Sequence, residues 1–262
     1  MNNLTPFPDP EFLKDFLDEK ADFYNHTDFI ENDPIQIPHR FSLKQDIEIT
    51  GFLAATISWG TRKSIISDAE KILAWMGNSP YDFVLNFQEK DMDLFHHNSV
   101  HRTFNKEDLN EFIRNLSRLY KKNDSLENLF LVQEDETNFY HSLQRFRTEF
   151  FKENQIHRST KHVSSTYKNS SAKRLIMFLR WMVRKDRKGV DFGIWENIDQ
   201  KHLSIPLDVH TGNISRKLNL IQRKQNDWKT VEEMDLVLRK FDDKDPAKYD
   251  FALFGLGIDK EF

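Results

Sequence analysis

Apolar residues recur at three- and four-residue steps along nearly the whole chain, which is the spacing of one face of an α-helix. The clearest stretch follows Asn105, a suitable N-cap, and its apolar face comprises Leu109, Phe112, Ile113, Leu116, Leu119 and Tyr120. No segment sustains the alternation of a half-buried strand, and no Asn-Gly or Asp-Gly turn occurs. The pattern therefore predicts an all-α fold.

Capping signals predict where further helices begin. Ser42 with Gln45 and Thr230 with Glu233 each fit a capping box, and Asp245 precedes a proline suited to a first helical position. Two stretches lack the helical pattern. Residues 31–41 hold two prolines and should form an extended connection, while residues 186–206 should be either an unrecognised helix or a functional loop.

Composition limits the classes of protein to which the chain can belong. Its 262 residues include no cysteine, which excludes disulfides, thiolate zinc sites and iron–sulfur clusters. No apolar run approaches a membrane span, and the N-terminus lacks the order of a signal peptide. These features predict a soluble cytoplasmic protein without a membrane partner.

Charge is distributed unevenly along the chain. Between residues 157 and 190 ten basic residues stand against one acid, giving +9, whereas the whole chain carries −4. Such a run is either a solvated helix face or a surface that contacts nucleic acid, because neutralised phosphates dominate that kind of affinity.

Two residues, Lys173 and Asp208, are candidates for a catalytic role. Lys173 falls in the first turn of an apolar-faced helix capped by Ser170 or Ser171, where the helix dipole disfavours a charged ammonium and so favours a nucleophilic amine. Asp208, in "IPLDVHTGNISRKL", follows an extended Ile205–Pro206 step and opens the next amphipathic run. The alternatives from these residues alone are an exposed surface lysine and a simple N-cap.

The order of these motifs resembles the helix-hairpin-helix DNA glycosylase superfamily. "SAKRLIMFLRWM" looks like the helix that carries a Schiff-base lysine, and "IPLDVH" looks like the motif of the catalytic aspartate. Upstream, "GFLAATISWGTRK" is similar to the early helix that ends in a DNA-facing turn; downstream, "YDFALFGLG" resembles the late helix that ends in glycine. The matches span about residues 45–257.

The match departs from the family at its hairpin, where "SSTYKNSSAK" holds none of the usual glycines. Archaeal-type 8-oxoguanine glycosylases also lack a standard hairpin, and their long gap between lysine and aspartate resembles the 35 residues from Lys173 to Asp208. We therefore place the chain nearest that branch, in what we expect to be an uncharacterised bacterial family.

The resemblance implies an all-α fold of two helical subdomains with a cleft between them. Residues 45–189 would form the central subdomain, with a hairpin-like element near 160–173, and residues 1–44 plus 190–262 the terminal subdomain. It implies a monomeric base-excision glycosylase with AP lyase activity on duplex DNA, acting on oxidised purines with Lys173 and Asp208 as catalytic residues. No cofactor is implied, although such hairpins can hold a monovalent cation through backbone carbonyls.

The residues expected to contact DNA are Trp59, Thr61, Arg62, Lys168, Ser170, Ser171, Arg174 and His210. Trp59 is the aromatic residue expected to stack on a base. Three histidines, His96, His97 and His101, lie close together, but we expect no metal site because a zinc ion needs further ligands and a defined backbone. The alternative function is a non-catalytic helical protein that binds nucleic acid or another partner and kept the fold.

Overall fold

A computed structural model describes residues 9–259, and α-helix dominates this part of the chain. The prediction of an all-α fold is confirmed at this level. The helices in chain order are α1 (Pro10–Tyr24), α2 (Asp28–Glu31), α3 (Lys44–Thr56), α4 (Arg62–Trp75), α5 (Pro80–Asn86), α6 (Lys106–Tyr120), α7 (Tyr140–Phe150), α8 (Lys173–Val183), α9 (Val209–Lys217), α10 (Trp228–Phe241) and α11 (Tyr249–Asp259). Within residues 9–259 no helix is long and apolar enough to cross a membrane.

Short elements fill several connections between the helices. Strands β1 (Ser99–His101) and β2 (Phe104–Asn105) pair antiparallel, so His101 lies in a small hairpin. The 3-10 helices are Pro34–Gln36, Pro38–Arg40, Glu89–Leu94, Leu126–Leu129, Arg158–His162, Thr166–Lys168, Gln200–His202 and Pro246–Lys248. The first two correct the prediction of an extended connection over residues 31–41, because each proline pre-sets the backbone for a first helical position.

The predicted helix starts are partly right. Asn105 caps α6 through a reciprocal capping box with Asp108, and Asp245 precedes the 3-10 turn that opens with Pro246. The other two were wrong. Helix α3 follows Leu43 without a side-chain cap, and α10 is capped by Asp227, whose carboxylate accepts the Thr230 backbone N–H at 3.1 Å.

The core is built around α3, in which every residue from Ile47 to Thr56 is buried. The ring of Phe52 lies 5.4 to 5.8 Å from those of Phe112, Phe146, Phe150 and Phe178. Helix α8 crosses α3 closely, since a methyl group at Gly51 would stand 3.1 Å from Met182 Cε. The predicted apolar face of α8 is buried, which fixes the position of the first turn that carries Lys173.

The long segment over residues 186–206 is mostly irregular, with one 3-10 turn, so it is not an unrecognised α-helix. Trp195 lies in the core, where its indole N–H donates to Glu48 Oε1 at 2.6 Å. The buried Glu48 carboxylate also accepts hydrogen bonds from Tyr120, Ser125 and the backbone of Leu126. The segment is therefore held by packing and by a satisfied buried acid.

Candidate functional site

Asp208 is the N-cap of α9, as its sequence context predicted. Its backbone is extended, and its Oδ1 accepts the Thr211 backbone N–H at 2.8 Å. The preceding Pro206 and Leu207 are buried, so the chain enters the cap along a fixed path. One carboxylate oxygen is thereby committed to the helix, and Oδ2 is left to face another group.

Lys173 is the first residue of α8, as expected, but the predicted cap was wrong. The N-cap is Ala172, which adopts a left-handed backbone with φ of 48° and gives no side-chain cap. Ser170 acts one step earlier, accepting the Ala172 backbone N–H on its hydroxyl at 3.2 Å. The turn before Lys173 thus places two non-glycine residues, Asn169 and Ala172, in the left-handed region.

The structure brings these two helix starts together. Lys173 Nζ lies 3.3 Å from Asp208 Oδ2, with 36% of the lysine side chain and 14% of the aspartate side chain exposed. The amine has a carboxylate that can receive its proton, and neither group is sealed from solvent. Such an arrangement is suited to a lysine nucleophile with an adjacent base.

A cavity of about 290 Å³ adjoins the pair, and both Lys173 and Asp208 line it. Its walls combine aromatic rings with charged groups. The rings are those of Phe29, Trp59, Trp181 and Phe254. The other charged groups are Asp33, Arg62, Arg180 and Asp250. The volume lies near the lower end of small-molecule sites, and apolar walls with a few placed polar groups are typical of them.

Two buried carboxyl groups, Asp33 and Asp250, line this cavity and could not be found by motif. Burial raises the pKa of Asp33, whose Oδ1 accepts the Ile35 backbone N–H at 3.1 Å. Burial also raises the pKa of Asp250 to about 6, against the opposing charge of Arg180 and with help from nearby Asp208. These groups hold their protons more tightly than exposed carboxyls do.

Among the residues expected to contact DNA, Trp59, Arg62 and His210 line the cavity. The Arg62 guanidinium lies 5.0 Å from the ring centre of Phe254, at the start of α4. Thr61 is exposed and caps the same helix through the Ser64 backbone N–H. The turn that we expected to face DNA, at residues 59–62, therefore lines the same cavity as Lys173.

Trp59 is held on several sides by protein groups. The Arg174 guanidinium lies 4.8 Å from its ring centre, and the ring of His162 stacks on it at 5.8 Å. Arg174 also donates to the carbonyl of Thr56, and burial lowers its pKa to about 10. His101, which is 2% exposed, lies 2.7 Å from the Trp59 carbonyl through Nε2 and 2.7 Å from Asp68 through Nδ1. Arg174 thus supports Trp59, and its guanidinium is not free for a phosphate.

The remaining predicted DNA contacts surround the turn before α8. Lys168 is exposed, whereas Ser170 and Ser171 are half-buried. The carbonyls of Ser165, Thr166 and Asn169 each accept at least one backbone N–H group. Residues 9–259 also contain no group of three or more His, Asp or Glu side chains arranged for a metal ion.

The basic run between residues 157 and 190 combines arginines that contact buried carboxylates with cations on the surface. Arg158 Nη1 lies 2.5 Å from the buried Asp108, and the side chains of Arg180 and Arg184 are only 5% and 4% exposed. Neither a solvated helix face nor a phosphate surface describes Arg180 and Arg184. The exposed cations of the run are Arg158, Lys161, Lys168, Lys185, Arg187 and Lys188, and Lys188 is paired with Asp22.

One protein-family model matches most of the chain. A family model described as "Protein of unknown function (DUF2400)" matches residues 33–259. The chain belongs to the DUF2400 family. No curated protein and no solved structure matches it. The matched DUF2400 region contains Asp33, Lys173, Asp208 and Asp250, so the candidate site lies within the part of the chain that defines the family.

Proposed function

We propose that this DUF2400 protein is a DNA base-excision glycosylase with AP lyase activity, acting on an oxidised purine. The observation that carries the proposal is the 3.3 Å contact between Lys173 Nζ and Asp208 Oδ2 at the cavity. The two residues belong to separate sequence motifs and lie 35 residues apart in the chain. The proposed architecture is two helical subdomains with the cavity in the cleft between them.

The proposed chemistry uses Lys173 as nucleophile and Asp208 as the group that manages its proton. Asp208 Oδ2 takes a proton from the ammonium, and the neutral amine attacks C1′ of the sugar. The bond from C1′ to the base breaks and its electron pair leaves with the base, which takes up a proton. That proton comes from Asp208, and the carboxylate that this restores stabilises the positive charge that develops on the sugar.

The nitrogen of Lys173 is then bonded to C1′. The bond from C1′ to O4′ breaks, O4′ takes a proton that the nitrogen gives up, and a protonated imine joins Lys173 to the opened sugar. Loss of a proton from C2′ then breaks the bond from C3′ to the 3′ phosphate oxygen, which gives strand scission by β-elimination. Water finally hydrolyses the imine and restores the amine. A base inside the duplex cannot reach the amine, so the damaged nucleotide would turn out of the stack into the cavity beside Trp59.

The test is borohydride trapping of the imine on duplex DNA that contains one abasic site. We expect a covalent protein–DNA adduct with the wild-type protein and none with Lys173→Ala. Lys240→Ala is the matched control, because Lys240 is exposed in the last turn of α10 and should trap as the wild type does. Absence of an adduct with every abasic duplex tried would reject the proposal.

The alternative, a nucleic-acid-binding protein without catalysis, gives a different result in the same experiment. It predicts binding to duplex DNA that weakens with salt, no adduct, and equal binding by the wild type and Lys173→Ala. A panel of duplexes carrying single oxidised purines then identifies the base, because only a recognised base is released before trapping.

A further inference from the structure

The loop between α9 and α10 touches both segments that carry the proposed catalytic pair. It comprises residues 218–227 and ends with two neighbouring polar residues, Asn226 and Asp227. Asn226 contacts the segment of Asp208, and Asp227 contacts the turn that leads into Lys173. The loop therefore bridges two parts of the chain whose spacing decides how the amine meets the carboxylate.

Both ends of the Asn226 amide are used. Its Nδ2 donates to the backbone carbonyl of Asp208 at 2.8 Å, and its Oδ1 accepts from Arg216 Nη2 at 2.7 Å. Arg216 in turn donates to the carbonyls of Arg223 and Gln225, which shapes the loop around the amide. The side chain can therefore adopt only one orientation without losing a hydrogen bond.

Gly212, one turn after Asp208, makes room for this contact. A methyl group there would stand 2.7 Å from Asn226 Oδ1 and 2.8 Å from Arg216 Nη1. A side chain at this position of "DVHTGN" would therefore displace the Asn226 amide and the Arg216 guanidinium from their present positions. Helix α9 and the loop therefore pack closely at Asn226, the residue that donates to the Asp208 carbonyl.

Asp227 makes the contact on the other side. Its Oδ2 accepts from Asn169 Nδ2 at 2.9 Å, and the next backbone N–H, that of Trp228, donates to the Asn169 carbonyl at 3.2 Å. Asn169 begins the left-handed turn that ends at Ala172, directly before Lys173. The start of α8 is therefore anchored to the residue adjacent to Asn226.

We propose that Asn226 and Asp227 form a clamp that sets the separation between the Lys173 amine and the Asp208 carboxylate, with Asn226 as a positioning residue. The inference rests on the proposed function for its chemical meaning. Removing the Asn226 amide leaves the Asp208 carbonyl with the Gly212 N–H as its partner, so the loop no longer holds the segment of Asp208 at a fixed distance from the start of α8. A displacement of about 1 Å at a reacting centre can cost on the order of a hundredfold in rate.

The kinetic test uses Asn226→Ala, with Gln225→Ala as the matched control because Gln225 is exposed and contributes only its backbone carbonyl to the loop. Under single-turnover conditions, imine formation by Asn226→Ala should be about ten- to a hundredfold slower. Its Kd for the abasic duplex should stay within about twofold of wild type, because no DNA contact is removed. If Asn226→Ala does not fold, as judged by circular dichroism, Asn226→Asp provides the same loss of the donor with little change in size.

A second measurement needs no DNA. Lysines are dimethylated with ¹³C, and the Lys173 resonance is identified by its absence in Lys173→Arg. We expect this resonance to move in Asn226→Ala and to stay in place in Gln225→Ala. An unmoved resonance together with an unchanged imine rate would overturn the clamp, as would a slower reaction explained wholly by weaker DNA binding.

The two experiments separate this inference from the proposed function. If the wild type forms no adduct, the proposed function fails, and the resonance alone decides whether the clamp controls the surroundings of Lys173. If the wild type forms the adduct and Asn226→Ala matches Gln225→Ala in both measurements, the function stands and the clamp is wrong.

Discussion

Both ends of helix α8 carry ion pairs, but the pair at its start is partly exposed and the pairs at its end are buried. At its start, Lys173 has one carboxylate partner and a side chain that is 36% exposed. Two to three turns later, Arg180 contacts Asp191 and Asp250, while Arg184 contacts Asp186, Asp191 and Asp245, and both arginines are almost fully buried. A buried arginine between two or more carboxylates is structural, whereas a single partly exposed pair leaves an amine that can react.

The largest expected difference between the two ends is in stability. Arg180→Met leaves Asp191 and Asp250 buried with fewer partners and should lower the free energy of unfolding by about 3 to 5 kcal/mol. Lys173→Met removes a half-exposed pair and should cost no more than about 1 kcal/mol. Urea unfolding of both variants measures the difference, and equal losses would show that the two ends do not differ as described.

Asp250 joins the two regions, because it pairs with Arg180 and lines the cavity of Lys173. Burial raises its pKa from 3.8 to about 6 in the folded protein, so the folded state binds this proton more tightly than the unfolded state. The resulting stabilisation is fully present below about pH 4 and is lost as pH rises through 6, a change of about 3 kcal/mol.

Asp250→Asn tests this dependence, since the amide does not titrate. The difference in unfolding free energy between wild type and Asp250→Asn should fall by about 2 kcal/mol from pH 4 to pH 7, because part of the full change lies below pH 4. Denaturant unfolding at several pH values gives the curve. A difference that stays constant across this range would mean that Asp250 is ionised throughout and belongs wholly to the Arg180 network.

The smallest expected effect is a change in stability at Asp208, where substitutions separate its role as N-cap from its role as partner of Lys173. Asn is as good an N-cap as Asp, so Asp208→Asn should keep the stability of the wild type within a few tenths of a kcal/mol, while Asp208→Ala should lose about 1 kcal/mol. Both variants should slow trapping, because neither has a charge opposite Lys173. Retained trapping by Asp208→Asn would show that the cap alone matters.

The sequence predicted the parts of the site that depend on local patterns. The first-turn position of Lys173 and the cap at Asp208 follow from helical periodicity and from the preference of aspartate for N-caps. The cap of α8 was missed because the turn before it uses a left-handed alanine, a conformation that sequence preference disfavours. Local rules failed where packing imposed the backbone.

The remaining features depend on contacts between distant segments. Arg180 and Arg184 resembled surface residues of a basic run, and the buried carboxylates that pair with them come mainly from residues 191, 245 and 250. Their spacing of four residues in an otherwise apolar helix was the available signal. Asp33 and Asn226 had no such signal, because each acquires its place from elements that pack against it.

The carboxylate of Asp208 divides its two oxygens between the helix and the amine. The oxygen bound to the Thr211 N–H prevents the group from rotating, whereas Lys173 reaches its partner through a long and flexible side chain. The lysine side chain can therefore change its position, whereas the aspartate carboxylate stays fixed on α9. A molecule that enters the cavity can draw the amine away from the aspartate while α9 stays where it is.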